Sequence, residues 1–218
     1  MSRGERSRAI VRHVPLQSPT DEQSLMGMPH AAEGWTADRV RALPSDGNRY
    51  ELIDGEFVVT PAPRGVHQEA IVSLVTHLEP WLRHTAIGHL SVSPADLSLG
   101  ADEVLQPDLF VYRTATGARL RDWNDIVELR LVIEVISPST ARYDRQLKRR
   151  RYQRARIAEY WIVDPDARLI ERWRPGDDRP EVVIERLVWS PDPTQPAFEL
   201  DVAEFFADVV GHDDRGTP

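Results

Sequence analysis

From Trp35 onward the chain alternates between runs whose apolar residues recur at helical spacing and runs in which they alternate or crowd together. "WTADRVRALP" opens with Thr36 in a capping position and sets Ala37, Val40 and Leu43 on one side of a short helix that Pro44 stops. "RYELIDGEFVVTP" places two apolar-rich runs around Asp54-Gly55. That dipeptide suits a turn whose two central residues both take positive φ, so an N-terminal β-hairpin is predicted. In "GVHQEAIVSLVTHLEPWL", Val66, Ala70, Ile71, Leu74, Val75 and Leu78 fall on one helix face, with a kink or break expected near Pro80.

Extended runs follow in "GHLSVSP", "ADLSLG" and "VLQPDLFVYR", and then "LRLVIEVISP", whose stretch from Leu131 to Ile136 is apolar on both sides of its alternation except for one carboxylate. Such a strand is covered on both faces and belongs at the centre of a sheet. Ser139 or Thr140 caps the next helix, from about Ala141 to Arg156. "EYWIVDP", "ARLIERWRP" and "PEVVIERLVW" read as strands, and "LDVAEFFADVV" as a closing helix. The prediction is an α/β fold with a mixed central β-sheet flanked by helices. Residues 1–33 are polar, with scattered Pro, Ser and Gly and no apolar period, and read as a disordered tail. A single domain is expected over 34–210, with a second disordered tail at 211–218.

Composition narrows the chemistry. The formal net charge of −8 argues against broad attraction to nucleic acid, so any such contact must be local. There is no cysteine, which removes disulfides, thiolate zinc sites and cysteine nucleophiles, and a cytoplasmic location is the expectation. No apolar run approaches the ~20 residues that span a bilayer, so no membrane association is expected.

Among the 27 Lys and Arg residues, Lys148 is the single lysine. An ammonium is a compact, strongly hydrated point charge, whereas a guanidinium is a planar fork, so a site that touches one phosphate oxygen or orients one water can prefer the first. Codon bias toward arginine is the ordinary alternative. Glu134, inside "LVIEVI", must be protonated, paired or metal-bound, because an isolated buried carboxylate is costly. Asp108 follows Pro107 at a strand entrance, where an acid can face an open cleft. Two carboxylates on adjacent strands can hold Mg²⁺, with Mn²⁺ as a substitute, and such an ion polarises a phosphoryl oxygen and activates water. Asp144, Lys148 and Tyr152 are spaced by four residues each, roughly along one helix face.

"YELIDGE", His67 on a helix, "PDL", "VIEVISPST", Asp144, Lys148 and Tyr152, and then "EYWIVDP" resemble, in that order, the Uma-type restriction endonuclease family of the PD-(D/E)XK nuclease superfamily. The resemblance runs from about Trp35 to Phe206. It implies a restriction-endonuclease-like core, with Asp108 and Glu134 as the metal-holding acids. The superfamily lysine usually stands two residues after the second acid, where this chain has Ile136. In this family the lysine is displaced to the following helix, which makes Lys148 the third catalytic residue. Glu51, His67, Asp144 and Tyr152 match positions that support the site.

The leading expectation is therefore a metal-dependent endonuclease acting on DNA, as a homodimer that presents one site to each strand. Arg145, Arg149 and Arg151 in "RQLKRRRYQRAR" supply local phosphate contacts. The alternative is a catalytically inactive nucleic-acid or protein-binding module on the same fold. A Ser137–Lys148 hydrolase ranks last, since no nucleophile elbow surrounds Ser137.

Overall fold

The structure is a computed structural model that describes residues 34–211. The tails predicted at 1–33 and, apart from Gly211, at 211–218 lie outside the described residues. Helix α1 (Ala37–Arg41) is capped by the Thr36 hydroxyl, which accepts from Arg39 N, as its sequence predicts. Strands β1 (Arg49–Ile53) and β2 (Glu56–Thr60) form the expected hairpin, and its turn residues Asp54 and Gly55 have φ of 54° and 79°. The hairpin stands outside the main sheet, and the backbone of Leu52 exchanges two hydrogen bonds with Val104 in the segment that leads to β4 (Leu109–Thr114).

Helix α2 (Gly65–Thr85) runs through Pro80 without the break that the sequence suggests. Its buried stripe of Ala70, Leu74, Leu78 and Leu82 continues on both sides of the proline. Packing of that stripe outweighs the ~3 kcal/mol that an interior proline costs a helix.

The central sheet is formed by β3 (His89–Val92), β4 (Leu109–Thr114), β5 (Ile126–Val135), β6 (Glu159–Asp164), β7 (Leu169–Trp173) and β8 (Glu181–Val183), in that spatial order. All neighbours are antiparallel except β5 and β6, whose parallel pairing needs the crossover through the helical segment between them. The sheet is thus mixed, with β5 central. "ADLSLG" forms no strand and contributes only a Leu97–Leu105 bridge. "PEVVIERLVW" divides, because β9 (Arg186–Trp189) leaves the sheet to pair with β10 (Phe198–Asp201). Helix α4 (Val202–Val210) closes the described chain.

Alternation along β4 and β5 divides the core. Leu109, Val111, Leu131, Ile133 and Val135 face α2, α4 and the β9–β10 hairpin. Phe110, Tyr112, Val132 and Ile136 face the other side, with Tyr152 and Tyr160. By the same period of two, Asp108 and Glu134 belong to this second face. The continuous helix predicted from Ala141 to Arg156 differs in detail. A π-helical turn, Tyr143–Lys148, leads directly into α3 (Arg149–Arg154).

Candidate active site

The register of β4 against β5 sets Leu109 opposite Ile133, so the next residues outward, Asp108 and Glu134, are cross-strand neighbours. Asp108 N lies 3.4 Å from Glu134 Oε2. The β1 strand adds Arg49 and Glu51, two residues apart and therefore on one face. The π turn adds Asp144 and Lys148. Four successive α-helical residues turn about 400°, a drift of ~40° per step. The wider π turn takes more residues per revolution, so the same four residues from Asp144 to Lys148 turn through less than in an α-helix. Arg149 N reaches back to Asp144 O, the i→i+5 closure of such a turn, and the Tyr160 hydroxyl donates to the same carbonyl at 3.1 Å.

Lys148 is the hub. Its Nζ lies 3.0 Å from Glu134 Oε1, 3.0 Å from Glu51 Oε2 and 3.5 Å from Asp144 Oδ1. Glu134 Oε1 also accepts from the Tyr152 hydroxyl at 3.2 Å, and Glu51 Oε1 accepts from Gln106 N at 2.7 Å. Asp108 is held separately. Arg49 Nη1 donates to its Oδ1 at 2.8 Å, and its Oδ2 meets His67 Nε2 at 3.0 Å and Val135 N at 2.9 Å. The other ring nitrogen of His67, Nδ1, is buried without a hydrogen-bond partner among the described residues. Glu51, Asp108, Glu134, Asp144 and Lys148 are each at most 3% exposed. They nonetheless line one wall of a cleft of about 590 Å³, with Arg49, His67, Ser137, Thr140 and Tyr143 around them.

Burial and charge set the protonation of this group. Burial drives the Glu134 carboxyl well above its ordinary range, opposed by Lys148 and reinforced by the neighbouring carboxylates. Asp144 is pushed up to about 6, again by burial first. Burial also raises Asp108, but the His67 hydrogen bond and the Arg49 charge outweigh it and hold this acid well below the usual range. Lys148 and Arg49 lose by desolvation and gain more from the surrounding acids, so both stay charged. Four carboxyl groups stand against the ammonium of Lys148 and the guanidinium of Arg49, so acids outnumber cations here.

That excess of acid, presented as hard oxygen donors at the wall of a cleft, is of the kind a divalent cation can offset. The donors are gathered but not preset: among the described residues no three His, Asp or Glu side chains stand at metal-binding spacing.

The family model for Uma2, described as "putative restriction endonuclease", matches residues 37–203. The chain belongs to the Uma2 family. A crystal structure of a putative nuclease belonging to DUF820, from Anabaena variabilis ATCC 29413, has the same fold at a TM-score of 0.63. The two sequences are 20% identical over 81% of this chain and 99% of that one. No curated protein matches the chain.

All the site residues predicted from the sequence, Glu51, His67, Asp108, Glu134, Asp144, Lys148 and Tyr152, converge in this Uma2 chain. Arg49 was missed, although its place two residues before Glu51 on one strand was a usable signal. The three arginines expected to contact DNA have internal partners. Arg151 is buried and paired with both oxygens of Glu103 at 2.6 and 2.8 Å. Arg145 reaches Glu171 at 2.6 Å and Asp164 at 2.8 Å, and Arg149 stacks on Trp173. Ser137 Oγ shares a 2.9 Å hydrogen bond with Ser139 Oγ, and the carboxylates keep Lys148 charged, so the pair lacks the neutral amine that a Ser–Lys hydrolase needs. No described helix is long and apolar enough to cross a membrane.

Proposed function

We propose that this Uma2-family chain is a metal-dependent endonuclease that hydrolyses DNA phosphodiester bonds in the cytoplasm, with Mg²⁺ as its ion. The observation that supports this most is the single lysine of the chain, buried against Glu51, Glu134 and Asp144 beside Asp108 in the wall of an open cleft. Asp108 and Glu134 would hold the cation, which would supply charge stabilisation and lower the pKa of a water bound to it. Lys148 donates to a non-bridging oxygen or to the attacking water as charge accumulates on the phosphoryl group. The water oxygen bonds to phosphorus and gives up a proton to solvent, the bond from phosphorus to the leaving sugar oxygen breaks, and that oxygen takes a proton from solvent. Glu51 and Asp144 position the ammonium, and Tyr152 fixes Glu134.

Contacts to the DNA backbone outside the cleft fall to Arg142 and Arg150 rather than to the inward-directed Arg145, Arg149 and Arg151. Both are exposed and, among the described residues, meet no acid. They border a second hollow that shares Tyr143 with the cleft. Two copies acting as a homodimer would cut both strands.

Supercoiled plasmid incubated with Mg²⁺ or Mn²⁺ tests the reading. Wild type should nick and linearise it, whereas Glu134→Ala and Lys148→Arg should each lose about 100-fold or more. Equal cleavage by all three proteins would place the activity elsewhere. One observation favours the alternative of an inactive binding module, namely that both oxygens of Asp108 already have protein partners. It predicts retention of duplex DNA with no cleavage under any metal.

A further inference from the structure

Arg49 has a property that distinguishes it from the other cations near the site. Its Nη1 bridges Asp108 Oδ1 at 2.8 Å and the Gln106 carbonyl at 3.1 Å. Nε and Nη2 meet no acceptor among the described residues, and the side chain, 21% exposed, forms part of the cleft wall. One edge of the fork therefore covers a metal-holding oxygen while the other edge is open to whatever occupies the cleft. Lys148 differs, since it is 4% exposed and its partners are Glu51, Glu134 and Asp144.

We propose that Arg49 is a displaceable counter-ion: it occupies Asp108 in the metal-free protein, is released when a divalent cation takes that oxygen, and then grips a non-bridging oxygen of the DNA phosphate. The inference rests on the endonuclease reading of the same cleft. Electrostatics requires competition, because a dication and a guanidinium cannot both sit on Oδ1 without strong repulsion. Geometry supplies the second destination, since a planar fork that gives up a carboxylate presents the same paired donors to a phosphate. His67 and Val135 N remain on Oδ2, so Asp108 stays aimed at the cleft after Arg49 departs.

Competition makes a prediction of opposite signs. Arg49→Met should bind Mn²⁺ alone more tightly than wild type, by about tenfold or more, as a like charge is removed from beside the ion. The same variant should hold a short fluorescent DNA duplex at least about tenfold more weakly in the presence of Ca²⁺. Arg49→Lys keeps the charge but not the fork, so its Mn²⁺ affinity should stay near wild type while its duplex affinity falls. Circular dichroism and thermal melts identify a misfolded variant, and Arg49→Lys carries the test if Arg49→Met does not fold.

Titration calorimetry with Mn²⁺ and fluorescence anisotropy with the duplex read the two affinities. Unchanged or weakened Mn²⁺ binding by folded Arg49→Met, or duplex affinity in Arg49→Lys equal to wild type, overturns the role given to Arg49 while leaving the endonuclease reading intact. Mn²⁺ binding by Arg49→Met and none by wild type would support Arg49 as the occupant of the site and overturn catalysis. No Mn²⁺ binding by either protein overturns both.

Discussion

Two groups of buried charge lie on opposite sides of β6, and their difference separates structure from function in this molecule. In the first, Arg172 forms a double contact with Glu159 at 2.7 and 2.5 Å, and Trp161 Nε1 donates to the same carboxylate at 2.8 Å. Arg151 and Glu103 repeat the pattern elsewhere. Each acid there has a matching base, and the planar fork satisfies both oxygens. In the second, Glu51, Asp108, Glu134 and Asp144 share Lys148 and Arg49, so carboxylates outnumber cations. Burial of charge is common to both groups. Of these two groups, imbalance belongs to the cleft, where a further cation could be accommodated.

The comparison can be broken most forcefully by removing one acid from each group. Glu159→Ala strands a buried guanidinium and should lower unfolding free energy by about 3–5 kcal/mol in a urea titration. Metal-free Glu134→Gln should change it by less than about 1 kcal/mol, since the amide keeps an acceptor for Lys148 and Tyr152 and is neutral like the protonated acid that burial favours. Equal losses would mean that the cleft is only another structural ion cluster.

Metal addition should separate the groups next. At a concentration of about 100 times Kd, Mn²⁺ should stabilise wild type by roughly 2.7 kcal/mol, and Glu134→Gln much less. Glu159→Ala should gain as much as wild type. Calorimetric melts with and without the ion read the difference.

A smaller effect comes from pH. Asp144 in the folded protein is pushed up to about 6 from 3.8, so the folded state binds the extra proton between those values. Its contribution to stability is full below about pH 4 and is lost as pH rises through about 6. Asp108 has the opposite sign: its lowered pKa adds stability above about pH 4 that disappears on acidification. Asp144→Asn should therefore flatten the decline between pH 4 and 6 in metal-free denaturation curves.

The least effect is expected at the surface. Arg142→Ala and Arg150→Ala should each reduce the salt slope of DNA binding by about one and weaken all sequences alike. Arg151→Ala should lower stability rather than change that slope, because its guanidinium is committed to Glu103.

Sequence reasoning reached the acids and the lysine because each broke a local expectation. Glu134 is a carboxylate within a buried strand, Asp108 follows a proline at a strand entrance, and Lys148 stands alone among arginines. Arg49 broke no such expectation and was missed. The internal partners of the helix arginines were not legible for the reverse reason, because a run of basic residues does not show which side of the helix finds acids. Glu103, Glu171 and Asp164, which engage Arg151 and Arg145, lie on other segments of the chain.

By itself, then, the sequence determined most of the element types, the hairpin turn at Asp54-Gly55, the mixed sheet with β5 inside it, and which acids and which lysine stood out from their surroundings. These follow from periodicity, turn conformation and side-chain chemistry, which act within a few residues. Tertiary structure alone decided that Asp108 and Glu134 stand side by side, that β1 delivers Arg49 and Glu51 to them, and that the π turn brings Asp144 and Lys148 to the same cleft. It also decided which arginines face inward and how many carboxylates remain uncompensated. Those outcomes depend on strand register and on the docking of elements far apart in sequence, where a shift of one residue would turn every acid to the opposite face.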